Sequence, residues 1–170
     1  SFSLAAVNDA PILSGDKAVL ADGQEDVPYT IKQSDLLQGY TDADGDTLSI
    51  KNLKASDGNL RNNGDGTWTF TPNNNFNGKV SLDYTITDGN GANIKENQSF
   101  SLAAVNDAPI LSGDNIDLGS IKEDHSIRIT AEQLLANASD VDGDTLAIVN
   151  LKVAKGNGTL STNSDGSWTF

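Results

Sequence analysis

The chain has no cysteine and no methionine, one histidine, four prolines, and 11 lysines and arginines against 24 aspartates and glutamates. Without cysteine there is no disulfide framework, no thiolate metal ligand and no thiol nucleophile. If the protein works outside the cell, something other than disulfides must hold its parts together. The shortage of bases leaves a formal net charge of -13, which argues against nucleic acid and anionic membranes as partners, since both need basic patches. No stretch approaches the roughly 18–20 apolar residues of a membrane span, so direct membrane insertion is not expected. No signal peptide is present, as would hold for any internal fragment. What the chain has in quantity is aspartate, asparagine and glycine, the composition of tight turns and of oxygen-rich metal loops.

A repeat dominates the organisation. Residues 1–16, SFSLAAVNDAPILSGD, recur letter for letter as residues 99–114, a period of 98. Identity over sixteen positions exceeds what a fold demands and indicates tandem duplication. Beyond it, Glu25-Asp26 returns as Glu123-Asp124, and Asp42-Ala-Asp44-Gly-Asp46-Thr-Leu48 as Asp140-Val-Asp142-Gly-Asp144-Thr-Leu146. Asp65-Gly-Thr-Trp68-Thr-Phe70 answers Asp165-Gly-Ser-Trp168-Thr-Phe170 at an offset of 100, so two residues are inserted where SDGN faces AKGNGT. The expected domains are residues 1–7 as the last strand of a preceding repeat, 8–105 as a complete repeat with its linker, and 106–170 as a second repeat cut before its last two strands. A unit of about 100 residues can bury its own core.

Short β-rich runs separated by Gly/Asn/Asp turns predict strands near Ala18–Leu20, Val27–Ile31, Thr47–Leu53, Asn59–Arg61, Thr67–Thr71, Lys79–Thr87 and Asn93–Val105. Val80, Leu82, Tyr84 and Ile86 alternate onto one face. Trp68 and Phe70 do the same after Asp65-Gly66, a hairpin signal. Only Gln33–Gln38 and Ala131–Ala138 look helical. The pattern predicts an all-β class, with tandem Greek-key β-sandwiches of immunoglobulin-like type.

Asn-Asp-Ala-Pro links the last strand of one unit to the next. Four extended residues reach about 13 Å, so consecutive units are expected to lie close together, and Pro11 and Pro109 bias the link toward extension. Asp-x-Asp-Gly-Asp brings three carboxylates within five residues. A pair about 5 Å apart at an effective dielectric of about 20 repels by roughly 3 kcal/mol, a cost that solvent or a cation must offset. Ca²⁺ takes six to eight such oxygens. The loop is no EF-hand, because Leu53 and Leu151 occupy the twelfth position where a bidentate glutamate would be needed. A solvated acidic turn is the alternative reading.

Taken in order, VNDAP, ED, DADGD or DVDGD with TL, NGDGTWTFTPNNNFNG and YTITDGNG resemble the cadherin-like tandem repeats of very large bacterial surface adhesins, of biofilm-associated and RTX type. The resemblance covers the whole chain. It implies cadherin-like sandwiches with Ca²⁺ at the joints and an extracellular, cell-surface location. It also implies a role as an extender carrying an adhesive tip, with neighbouring repeats of the same chain as partners. By position, one joint would use Glu25 or Asp26, Asn106, Asp107, Asp140 and Asp142, with Asp144 as a further or water-mediated ligand. The N-terminal joint would use Asn8, Asp9, Asp42, Asp44 and Asp46, closed by Asp88. Asparagine-rich Pro72–Gly78 stands where cadherins carry Leu-Asp-Arg-Glu, which implies fewer charged ligands.

Enzymatic activity is not expected. His125 has no counterpart in the first repeat, where Val27 stands, and reads as a surface strand residue. No GxSxG or Walker-type loop occurs, and Trp68 and Trp168 alternate as core residues. Two other readings stay open: a Ca²⁺-dependent glycan- or peptide-binding module, with Tyr40 as the one loop aromatic, and a metal-free immunoglobulin-like spacer.

Overall fold

Alternation of apolar and polar residues builds the two longest strands, and the computed structural model, which describes residues 2, 3 and 5–170, gives them ten and eleven residues. Ser1 and Leu4 lie outside the described residues, and with them part of the strand expected over 1–7. From that stretch Phe2 and Val7 are exposed. The chain divides into two compact units, Ser1–Val105 and Asn106–Phe170, each described by itself.

The first unit runs β1 (Ile12–Leu13), β2 (Gly23–Gln24), β3 (Tyr29–Lys32), α1 (Gln33–Leu36), β4 (Tyr40–Thr41), β5 (Ser49–Ala55), β6 (Gly58–Asn62), β7 (Thr67–Pro72), β8 (Gly78–Thr87) and β9 (Asn93–Ala103). One sheet has the order β2-β9-β8-β5 and the other β3-β7-β6, with β1 and β4 as a separate pair. The chain passes repeatedly from one sheet to the other, which is Greek-key wiring. β2 runs parallel to β9, while the other ladders are antiparallel.

Inward residues of both sheets meet in one core. Ile31, Leu36, Phe70, Val80, Leu82 and Ile86 are almost wholly buried. Phe100 stacks on Tyr29 with ring centres 4.2 Å apart and meets Phe70 edge-on at 5.6 Å, both favoured aromatic geometries. The Tyr84 hydroxyl donates to the Leu36 carbonyl at 3.3 Å, tying α1 to β8, and burial pushes its pKa up to about 12.

Two expectations shift. The strand placed at Ala18–Leu20 makes no ladder. Leu20 instead drops into the core, and side chains satisfy the nearby backbone: Gln98 donates to the Ala18 carbonyl at 2.8 Å and the Tyr29 hydroxyl to that of Ala21 at 2.8 Å. The ladder forms at β2, where a Cβ on Gly23 would stand 2.9 Å from Leu102, so glycine permits the close approach to β9. Tyr40, the one aromatic beside the acidic loop, is buried in the core rather than exposed to a ligand. The Lys17 ammonium lies 5.7 Å from its ring centre and pairs with Glu96 at 2.7 Å.

The second unit contains β10 (Ile110–Leu111), β11 (Arg128–Ile129), α2 (Ala131–Leu134), β12 (Ala138–Ser139), β13 (Ser161–Thr162) and β14 (Trp168–Thr169). β10 pairs with β12, and β11-β14-β13 form a sheet, matching the β1–β4 pair and the β3-β7-β6 sheet of the first unit. Residues 147–153, which correspond to β5, join no ladder. Helix α2 opens with a capping box, Thr130 to Gln133, whereas α1 has no side-chain cap. His125 is exposed and precedes β11, with its Nδ1 2.9 Å from the Glu123 carbonyl.

Candidate metal centre

The loop between β4 and β5 carries Asp42, Asp44 and Asp46, and its shape is set by an Asx turn. Asp42 Oδ1 accepts from the Asp44 N–H at 2.9 Å and the Asp46 N–H at 3.3 Å. The Asp42 carbonyl accepts from the Gly45 N–H at 3.3 Å. Gly45 has φ 79°, a left-handed conformation that glycine adopts without a Cβ penalty. The turn brings one carboxylate oxygen of each aspartate within 4.8 Å of the other two.

The linker is fastened to this loop and to the one between β8 and β9. The Asp9 N–H donates to Asp44 Oδ2 at 2.7 Å, and the Asn8 amide donates to Asp88 Oδ2 at 2.6 Å. Asp88 is buried and accepts from the N–H groups of Asn90, Gly91 and Ala92 at 2.8, 3.0 and 3.1 Å. The Asn8 amide, then the loop N–H groups, hold its carboxyl below the usual carboxylate range. Asn90 bridges the loops by donating to Asp46 Oδ2 at 2.7 Å. The sequence reading missed Asn90; its place in the Thr-Asp-Gly-Asn-Gly run beside Asp88 was the available signal.

One oxygen stands apart. Asp42 Oδ2 is buried, with no hydrogen-bond partner among the described residues. A buried, unpaired carboxylate oxygen is costly, and here it sits amid two further carboxylates. Such an all-oxygen donor set suits a hard divalent cation.

The second unit repeats the device. Asp107 N–H donates to Asp142 Oδ2 at 2.7 Å. Asp140 Oδ1 accepts from the N–H groups of Asp142 and Asp144 at 3.0 and 3.3 Å, and Gly143 shares the φ of 79°. Carboxylate oxygens of Asp107 and Asp142 lie within 4.8 Å of each other. The Asn106 amide donates to the Asp107 carbonyl at 2.8 Å, as the Asn8 amide does to that of Asp9 at 3.3 Å.

Glu25 and Asp26 follow β2 and lie beside Val105, the last residue of the first unit. Glu25 is 1% exposed. Its carboxylate accepts from the Val105 N–H at 2.5 Å and the Asn77 amide at 3.2 Å, so it holds the tail of the unit. Asp26, at φ 57°, accepts from the Asn75 N–H at 2.9 Å, so two asparagines of Pro72–Gly78 serve as donors to these acids.

A Greek-key sandwich whose entry loops gather aspartates around the incoming linker defines the class of cadherin-like β-repeat modules. The chain belongs to the cadherin-like domain family, whose model matches residues 7–103 and 105–170. Cadherin-like domains generally bind Ca²⁺, and the Asp42–Asp44–Asp46 cluster could hold a metal ion. No curated protein matches the chain. Among solved structures it is similar to the endo-fucoidan hydrolase MfFcnA4 of glycoside hydrolase family 107, at 21% identity over 94% of this chain with a TM-score of 0.43. It is also similar to MfFcnA9 of that family, at 18% identity over 96% with a TM-score of 0.35. The chain spans 24% and 29% of the lengths of these two proteins. Among the described residues no helix is long and apolar enough to cross a membrane.

Proposed function

We propose that this chain is part of the extender region of a secreted bacterial cell-surface adhesin, a non-enzymatic string of cadherin-like repeats stiffened by Ca²⁺. The observation that carries the reading is the buried, unpartnered Asp42 Oδ2 in a cluster of three carboxylates. In the first unit Asp42, Asp44 and Asp46 would hold the ion, with Asn8, Asp9 and Asp88 fastening the linker beside it. Asp107, Asp140, Asp142 and Asp144 would act likewise in the second. Glu25, with Asp26 beside it, would hold the end of the first unit in place through the Val105 N–H. When bound, Ca²⁺ offsets the repulsion among the aspartates and cross-links linker to loop.

The protein's contribution is preorganisation. Backbone N–H groups already aim the carboxylates, and the Asx turn fixes their spacing. Because the ordered linker would bind the ion and a loosened one would not, binding stabilises order by RT ln(1 + [Ca²⁺]/Kd), about 2.7 kcal/mol at 100 times Kd. Extracellular sites work near 10⁻⁴–10⁻³ M, so the array would stiffen outside the cell, holding the adhesive tip away from the surface.

The test compares this 170-residue chain and its Asp42→Asn variant by thermal melting and small-angle scattering, in calcium and in excess EDTA. A higher melting temperature and a straighter particle in calcium, both lost in Asp42→Asn, are expected. Calcium-independent melting and scattering would make the loops solvated turns and the chain a metal-free spacer.

A further inference from the structure

The outer face of the four-stranded sheet in the first unit gathers lysines that no acid neutralises. Lys51 of β5, Thr85 of β8 and Lys95 of β9 form one cross-strand row, and Lys54, Asp83 and Asn97 form the next. Lys79 lies further along β8, opposite Ser101. Four of the chain's eleven bases thus share one face on which Asp83 is the one acid in the strand rows, with Asp22 at the sheet edge accepting from the Ser101 N–H at 3.1 Å, in a protein of net charge -13. All four are exposed, and none makes an ion pair or side-chain hydrogen bond among the described residues.

A defect in the ladder creates the cluster. Residues three apart in a regular strand face opposite sides. Asn52 adopts φ 54°, and the register shifts between Lys51 and Lys54, so this bulge turns both lysines outward. A groove of about 550 Å³ opens beside it, floored in part by Leu53, and a second of about 350 Å³ continues along β8 and β9, the two meeting at Asp83. From Lys95 to Lys79 the path is about 20 Å.

We propose that this face binds an anionic polysaccharide. Its outward positions from Lys79 to Thr85 and from Lys95 to Ser101 are lysine, serine, threonine, asparagine and one aspartate; all but the aspartate are donors suited to sulfate or carboxylate groups and sugar hydroxyls. A protein partner would need aromatic or aliphatic anchors at the centre of the interface, and no aromatic side chain points outward from either strand. The overall negative charge does not prevent binding: the Debye length is about 8 Å at physiological ionic strength. Lys51 and Lys95, about 10 Å apart across three strands, therefore dominate the local field. A slender polymer can follow the groove without lying over the acidic loops. In the second unit Val149 replaces Lys51 while Lys152 matches Lys54, so the first unit carries the site.

The test measures binding of the full chain to dextran sulfate, a carboxylated polyuronate, neutral dextran and duplex DNA, in calcium and in EDTA. Binding to dextran sulfate or the polyuronate that weakens with salt, with none to neutral dextran, is expected. Which of the two binds more tightly identifies the anionic group. Lys51→Glu/Lys95→Glu should weaken it at least about tenfold per lysine, the scale of one charge-assisted hydrogen bond, with unchanged melting. Lys32→Glu, exposed on the other sheet, should bind as the parent does. Unchanged affinity in the double variant would overturn the proposal, as would absence of binding to both anionic polysaccharides. Equal binding to DNA would replace polysaccharide with nucleic acid. Self-association abolished by the double variant would replace it with a second copy.

Discussion

Asp88 concentrates the chemistry of the linker site in one side chain. It takes the Asn8 amide on one oxygen and the loop's backbone N–H groups chiefly on the other, and each bond favours the ionised form. Its folded pKa therefore lies below the ordinary aspartate range. A depressed acid contributes stability that is fully present above its unfolded pKa and is lost as pH falls through its folded one. In an NMR titration its midpoint should fall below that of a free aspartate, and Asn8→Ala should move it back upward because the Asn8 amide is the largest cause. An unmoved midpoint in that variant would show that the linker does not engage the loop. The aspartates were legible because they recur in register, and so was the linker. The donor side of the site was less legible: Asn77 and Asn90 look like turn residues until the loops that hold them are folded.

At the level of elements, hairpin β6–β7 shows how a glycine can be a packing residue. Gly58 opens β6 at ordinary φ, yet a Cβ there would sit 2.5 Å from both a Phe70 ring carbon and the Thr71 carbonyl oxygen. Phe70 is fully buried and the carbonyl belongs to the backbone, so neither yields cheaply. Gly58→Ala should destabilise the first unit by about 1–3 kcal/mol, the usual cost of overpacking, read as a lower urea midpoint. An unchanged midpoint would mean that the hairpin can shift away. Gly158 meets Phe170 in the same way, so the two-residue insertion before it restores the contact. The long strands were readable from alternation over ten or eleven residues. The two-residue ladders β1, β2 and β4 were not, since two residues carry no period and glycine at β2 carries no strand propensity.

Across the whole molecule the two units differ in how much apolar surface they enclose. The contiguous core from Leu20 to Leu102 belongs to the first, while in the second Ile129 is the buried hydrophobic residue among those described. Lys17, Tyr40 and Glu96 clamp the first unit, and Asn115 and Ala138 stand where the lysine and tyrosine would be. Amide protection follows such differences. Hydrogen exchange should find β8 and β9 protected by orders of magnitude more than residues 106–170, and uniform protection would contradict this division.

The parallel pairing of β2 with β9 has a mechanical consequence. β2 lies near the start of the first unit and β9 near its end, and they run side by side in the same direction through Gly23–Leu102 and Gln24–Ala103. The Glu25 N–H to Ala103 carbonyl bond and the Glu25 carboxylate on Val105 extend the seam. Tension pulling the two ends of the unit apart would slide these strands lengthwise, loading all the bonds together in shear instead of opening them one at a time as in a zipper. The seam is short, but once the linker and β1 have given way such a load would fall on it directly, and Glu25 would act there as a latch against pulling.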